Sequence, residues 1–316
     1  MMSAYAGAQG IYNGTGPGLN NTFLTDIAVP PFEDEDLIKN ITNDLTLEAA
    51  IPNNFQPISI HSQKTQDDSA LASYSSCFCP QSPNWIASNS QDAPSMSTFN
   101  LLNVTTAELA KLDINLTTIS DYQKLGDVCI ADYFNDFELP GKIDTTSDTY
   151  KDIKFAYEWY QTHVYTAQSF QKSIYNYNLT NTILNNIKAY STSERFTNPY
   201  VYLYYSDEPS LISLLNAFGV LNDSCLANQW QGSSTYELCV YPHFGSNIIL
   251  EYYINGSSPY LKAFYNGTSL NLCGNTEDSS ICTLDQFSSL VSGISGSYNT
   301  DSIQSKCGID TDKDIQ

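Results

Sequence analysis

The stretch from Pro199 to Val220, PYVYLYYSDEPSLISLLNAFGV, constrains the fold of this chain more than any other segment. Residues 200–205 are aromatic or aliphatic throughout, which is typical of a β-strand. Pro209 suits the first turn of a helix, and apolar residues then recur at helical spacing as far as Gly219. The sequence therefore predicts a strand that ends in an acidic turn and continues into a helix.

The acidic turn itself consists of Asp207 and Glu208. In open α/β sheets, ligands bind beyond the carboxyl ends of the strands, and this turn would lie at such a place. Carboxylates are also preferred residues at the start of a helix, where they accept hydrogen bonds from free backbone N–H groups. The local pattern favours the capping role, and a ligand site remains the alternative.

Charge excludes several classes of partner. The chain has 316 residues with 34 acidic and 13 basic side chains, for a net charge of −21, which disfavours nucleic acids and anionic membranes. The sequence holds one arginine, Arg195, which we interpret as a surface residue. Phosphate-binding sites usually contain a cluster of several guanidinium groups, and one arginine cannot form such a cluster. We expect no membrane span, because no segment has the ~18 apolar residues needed.

Eight cysteines without zinc-type spacing predict disulfides and an oxidising compartment. Nine Asn-x-Ser/Thr sites add mild support for a glycoprotein. We therefore expect a secreted protein or one of the lysosomal or vacuolar lumen. The first residues lack the features of a signal peptide, so we also expect that the amino terminus is incomplete. The acidic run at Asp310, Asp312 and Asp314 lacks the glycine of a calcium loop, and no metal or cofactor is expected.

Periodicity predicts three parts of the chain. Residues 1–62 would form the amino-terminal part of an α/β domain. Residues 63–198 are mainly helical, notably from Tyr150 to Tyr190, and would form an inserted helical domain. Residues 199–316 would complete the α/β domain, with short strands at 236–244, 247–254 and 261–265 and a last helix that begins near Thr283.

Several of these segments resemble the histidine acid phosphatases, in the branch of the lysosomal and prostatic enzymes. Residues Tyr204 to Leu211 and the leucines after them are similar to the family's signature Tyr-Ser-x-His-Asp-x-Thr-Leu. FQPISIH at 55–61 resembles its W-x-P-I-P-V-H strand, and Cys79-Pro80 the Cys-Pro that follows. The resemblance implies an α/β fold with a mainly parallel sheet, flanking helices and an inserted helical domain. The strand that carries the family's nucleophile would be absent from it.

The resemblance also implies a function. The family hydrolyses phosphomonoesters through a phosphohistidine intermediate, held by arginines, with an aspartate as proton donor. Asp207 is the expected proton donor, and Ser206 stands in place of the family histidine. His61, His163 and His243 all lack the flanking Arg-His-Gly pattern. We therefore expect an incomplete or degenerate family member that is inactive as it stands. The alternative is a non-catalytic glycoprotein that binds a ligand in the same cleft or has a structural role, and the oligomeric state is open.

Disulfide pairs are implied by the same resemblance. It joins Cys273 to Cys282, Cys129 to Cys225, and Cys307 to either Cys77 or Cys79. The partner of Cys239 stays open.

Overall fold

The structure, a computed structural model, describes residues 61–92, 100–191, 201–232, 239–255, 258–274 and 280–309. The chain divides into two units, residues 1–63 and 64–316. Of the first unit, the described residues 61–63 form neither helix nor strand. Several expectations lie outside the described residues: the amino-terminal α/β part, the strand at 55–61 up to residue 60, Arg195 and the acidic run at 310–314. The expected boundary near residue 198 stays a prediction.

Helices form most of the described second unit. In chain order they are α1 (Ser82–Asp92), α2 (Asn100–Ala110), α3 (Ile119–Phe134), a 3₁₀ turn (Pro140–Lys142), α4 (Asp148–Thr166), α5 (Ser169–Ser191), α6 (Glu208–Ala217), α7 (Asp223–Trp230), α8 (Leu284–Ser295) and α9 (Thr300–Cys307). The helical pattern from Tyr150 to Tyr190 thus becomes α4 and α5. None of the described helices is long and apolar enough to cross a membrane.

Side-chain caps explain where several helices begin. Thr118 and Asp121 form a capping box at α3, and Thr283 and Gln286 form another at α8. Each pair satisfies two backbone N–H groups that the helix itself leaves free. The last helix begins beside Thr283, as the sequence predicts.

The described sheet is small and antiparallel. Its strands are β1 (Ile248–Asn255), β2 (Ser258–Tyr265), β3 (Thr268–Leu270) and β4 (Cys282–Thr283), with β2 paired to each of the other three. Asn266 and Gly267, both at positive φ, make the two-residue turn between β2 and β3. Mixed α/β architecture is therefore as predicted, whereas the described strands include no parallel pair.

Two predicted strands are wrong over the residues that the structure describes. Residues 201–207 and 239–244 form neither helix nor strand. An aromatic and aliphatic sequence becomes a strand only where a neighbouring strand accepts its backbone hydrogen bonds. Residues 201–204 have no such ladder among the described strands, and their side chains are exposed.

The hydrophobic core lies between the helices and one face of the sheet. Leu261 and Ala263 of β2 are buried, and so are Phe287, Val291 and Ile294 of α8. On the far side, α3 packs closely against α4. A smaller second cluster surrounds Cys79, Ile174 and Cys307.

Three disulfides occur among the described residues: Cys79–Cys307, Cys225–Cys239 and Cys273–Cys282. The first and third agree with pairs that the resemblance implied. The expected pair of Cys129 with Cys225 is wrong, because Cys225 joins Cys239, 14 residues further along the chain. Cys129 is a buried free thiol of α3, and Cys77 is an exposed one. Burial raises the pKa of the Cys129 thiol to about 11.

Candidate functional site

Asp207 lies directly before α6 and is its N-cap residue. Its backbone is extended (φ −105°, ψ 178°), and Pro209 occupies the first turn, as the sequence predicts. The Asp207 carboxylate accepts a hydrogen bond from the Ser210 hydroxyl at 3.1 Å and a longer one from the Ser210 backbone N–H at 3.5 Å. The capping role favoured by the local pattern is therefore the one that the structure displays.

Tyr74 supplies another donor to Asp207 from a distant part of the chain. The Tyr74 hydroxyl donates to Oδ2 of Asp207, and the Tyr74 ring meets that of Tyr165 edge-on at 5.7 Å. Burial, followed by the hydrogen bond to Asp207, raises the pKa of Tyr74 far above its ordinary value. Burial and the nearby Asp207 charge raise the pKa of Tyr165 to about 12. Both phenols are therefore neutral hydroxyl groups at any physiological pH.

Ser206, which stands at the expected histidine position, faces the backbone. Its hydroxyl donates to the carbonyl oxygen of Leu71 at 3.1 Å, and the same carbonyl is an alternative acceptor for the single proton of the Ser210 hydroxyl. Ser206 Oγ is also 3.5 Å from Oδ1 of Asp207. These contacts fasten the start of α6 to the segment that contains Tyr74.

Glu208 is the residue that the sequence reasoning passed over. Its carboxylate accepts a hydrogen bond from Tyr241 at 2.5 Å and bonds of 2.8 and 3.1 Å from Tyr157. We call Glu208, Tyr157 and Tyr241 the tyrosine–carboxyl cluster. Burial raises the pKa of Glu208, although the two tyrosine hydrogen bonds oppose the change. The signal in the sequence was the second carboxylate of the Asp-Glu pair, for which capping was favoured over a ligand site.

An open cavity of about 470 Å³ lies beside Tyr74. One wall is a face of α1, whose lining residues are three or four positions apart in the sequence. The last turns of α4 form another wall. The lining residues are Tyr74, Ser75, Ser76, Pro83, Ile86, Ala87, Ser90, Tyr160 and Tyr165. None of these described lining residues carries a charge.

The described histidines of the second unit face carboxylates. His163 Nδ1 is 3.1 Å from Asp223 Oδ2, and its ring stacks on Trp159 at 4.8 Å. His243 Nε2 is 3.2 Å from Glu158 Oε1, but the two atoms are not aligned as a hydrogen bond. The hydrogen bond from His163 lowers the pKa of Asp223.

Asp207 and the histidines are not brought together. The hydrogen-bond partners of Asp207 within the described part are Tyr74, Ser206 and Ser210. His61 is exposed. No group of three His, Cys, Asp or Glu side chains in the described ranges is placed to hold a metal ion.

The comparison with known proteins identifies the family. The sequence model of the histidine phosphatase superfamily (branch 2) matches residues 1–266. That match covers most of the chain, including Asp207 and all three residues of the tyrosine–carboxyl cluster. No curated protein matches the chain significantly. The extent of the match leads to one conclusion: this chain belongs to branch 2 of the histidine phosphatase superfamily.

Proposed function

We propose that the chain is a phosphatase-type protein directed at phosphomonoesters, and that its 316 residues do not complete the hydrolysis by themselves. The observation that carries the proposal is the pair of carboxyl groups at the start of α6, within a chain that belongs to a phosphatase family. A carboxyl group at this place can give a proton to a leaving alcohol oxygen, as general acid catalysis requires.

Glu208 suits the role of proton donor better than Asp207. A general acid must hold its proton at the working pH, so a raised pKa favours the role. Asp207 is the N-cap residue of α6, and its carboxylate accepts hydrogen bonds from Ser210. Glu208 is the more buried of the two, and burial raises its pKa.

The register of the family signature supports the same assignment. The family signature Tyr-Ser-x-His-Asp-x-Thr-Leu can be aligned without a gap to residues Tyr204 to Leu211. In this alignment Asp207 occupies the histidine position and Glu208 the aspartate position. Ser206 then falls on the variable position. This register differs by one residue from the one first expected, in which Ser206 replaces the histidine and Asp207 is the proton donor. Glu208 would be the proton donor, and Asp207 the residue that replaces the histidine.

The nucleophile is the part for which neither His163 nor His243, the described histidines of the second unit, is a candidate. The phosphohistidine route needs a histidine that attacks phosphorus and cations that hold the phosphoryl oxygens. His163 and His243 face carboxylates, and the sequence has a single arginine. His163 is hydrogen-bonded to Asp223, and His243 lies 3.2 Å from Glu158, so each imidazole faces a carboxylate. We therefore expect no turnover from these residues.

A second candidate function is ligand binding without chemistry, in a secreted or surface glycoprotein. It is favoured by the open cavity beside Tyr74, which exists whether or not a nucleophile is present. The three disulfides fit an extracellular fold.

The test is hydrolysis of p-nitrophenyl phosphate between about pH 4 and 7 by the 316-residue chain, Glu208→Gln and Asp207→Asn. Asp285→Asn, in the first turn of α8, is the matched control. We expect all four proteins to show only the uncatalysed rate. Turnover by the parent chain would refute the inactive assignment. If Glu208→Gln then abolished that turnover, Glu208 would still be the acid, whereas loss in Asp207→Asn alone would assign it to Asp207.

Binding is measured separately. Phosphate or vanadate that binds only the folded chain must raise its melting temperature. A rise in the parent chain that is lost in Asp207→Asn or Glu208→Gln would support a phosphoryl site at the start of α6. No rise at any concentration would leave the chain without a phosphoryl site and contradict the proposed ligand class.

A further inference from the structure

The cavity between α1 and α4 has a chemical character that phosphate chemistry does not explain. Its volume of about 470 Å³ falls within the range of ~300 to 1,000 Å³ that small-molecule sites occupy. Its walls combine tyrosine rings with serine hydroxyls and a few small aliphatic side chains. Anion sites, in contrast, are built from cations and free backbone N–H groups.

The tyrosines are held in place by one another and by their neighbours. Tyr160 and Ser90 share a hydrogen bond of 2.5 Å across the cavity wall, which ties α4 to α1. Tyr74 is fixed between the Tyr165 ring and the Asp207 carboxylate. Rings fixed in this way lose little entropy when a ligand stacks on them.

Charge decides which ligands fit. The described lining holds no cation, and its residue Tyr74 donates a hydrogen bond to the Asp207 carboxylate. An anionic ligand would therefore meet a negative field without a compensating group. A purely apolar ligand would cover the hydroxyls of Ser75 and Ser76 and separate them from water without replacing their hydrogen bonds to water.

We propose that this cavity binds a neutral sugar ring. Aromatic faces carry partial negative charge and attract the weakly positive C–H groups on the apolar face of a sugar. Tyrosine and serine hydroxyls can both donate to and accept from the sugar hydroxyls. This proposal names a ligand class for the second candidate function. It is independent of the phosphomonoester proposal, because binding here requires no nucleophile and is measured without hydrolysis.

The test is ligand-observed NMR and calorimetry with the methyl glycosides of glucose, galactose and mannose. Inorganic phosphate and p-cresol serve as the anionic and the apolar aromatic probes. We expect at least one glycoside to bind and phosphate not to compete with it. Absence of binding by every glycoside, or tighter binding of p-cresol than of any glycoside, would overturn the proposal.

Variants locate the binding. Tyr165→Ala removes a ring from the wall and is expected to weaken glycoside binding at least about tenfold. Tyr133→Ala, an exposed tyrosine outside the cavity, is the control and should bind as the parent chain does. Equal affinity in Tyr165→Ala and the parent would place the ligand elsewhere and refute the site.

A second variant covers the case in which Tyr165→Ala does not fold. Ala87 is an exposed residue of α1 that lines the cavity, so Ala87→Tyr fills the cavity and removes no core contact. We expect folded Ala87→Tyr to lose glycoside binding. Retained binding in this variant would refute the proposal independently of Tyr165.

Discussion

Gly126 controls how closely α3 approaches α4, and its replacement by alanine is the sharpest test of the packing. A Cβ atom on residue 126 would lie 2.5 Å from Cβ of Tyr157, 3.2 Å from its Cγ and 3.3 Å from the carbonyl oxygen of Ile153. Carbon atoms are at their optimum near 3.5 to 4.0 Å, so the helices would have to separate by roughly 1 Å. None of the contacted atoms is the free end of a flexible side chain.

Two opposing effects set the magnitude for Gly126→Ala. Alanine is favoured over glycine inside a helix by about 1 kcal/mol. Overpacking of this kind costs about 1 to 3 kcal/mol. Tyr157 also donates to the Glu208 carboxyl group, and weakening this hydrogen bond costs up to about 1.5 kcal/mol more. We therefore expect Gly126→Ala to lower the free energy of unfolding by about 2 kcal/mol.

The assay is urea unfolding followed by tryptophan fluorescence, since Trp85, Trp159 and Trp230 all lie in described helices. Gly293→Ala in α8 is the matched control, because nothing lies within 4 Å of its added Cβ. This control should gain up to about 1 kcal/mol from helix propensity alone.

The comparison of the two variants can refute the reasoning. If Gly126→Ala were as stable as Gly293→Ala, or more stable than the parent chain, the close approach of α3 and α4 would be wrong. The role of Tyr157 in holding Glu208 would then lose its support as well.

Three further predictions concern Glu208, Asp207 and the Cys79–Cys307 disulfide. Folding raises the pKa of Glu208 above its ordinary value of 4.5, which it has in the unfolded chain. Its contribution to stability is therefore fully present below pH 4.5 and is lost as the pH rises through the folded-state pKa. Glu208→Gln should therefore become more stable relative to the parent as the pH rises from about 4 to 7, and a constant difference in melting temperature would contradict this. Asp207→Ala should cost about 1 kcal/mol in urea unfolding through loss of the helix cap, whereas Asp207→Ser should restore most of that loss; equal losses would argue against the cap. The Cys79–Cys307 disulfide closes a separation of 228 residues, so Cys307→Ser should cost up to about 5 kcal/mol in chain entropy. Cys77→Ser, at an exposed free thiol, should change stability by less than about 0.5 kcal/mol, and equal effects of the two would refute the pairing.

The predictions from sequence succeeded where structure depends on neighbouring residues. The last helix begins beside Thr283 as predicted, and its capping box joins Thr283 to Gln286, only three positions away. The stripe that became α4 and α5 is likewise a local periodic pattern. Such features can be read from the chain because no distant residue decides them.

The predictions failed where a distant partner was needed. A strand at 201–205 requires a neighbouring strand, and none of the described strands provides one. Cys225 could have joined several cysteines, and only the position of α7 relative to residue 239 selected the pair. Sequence spacing contains no information on either choice.

For the candidate site, the sequence by itself determined the family, the helix that begins at Glu208 and the carboxylate that caps it. Only the tertiary structure decided what each carboxylate does, because Tyr74 reaches Asp207 across 133 positions and Tyr157 reaches Glu208 across 51. Burial and hydrogen bonds set the proton affinity of a carboxyl group, and both come from residues remote in the chain. The cavity beside Tyr74 has the same origin, since its walls come from two helices about 70 residues apart.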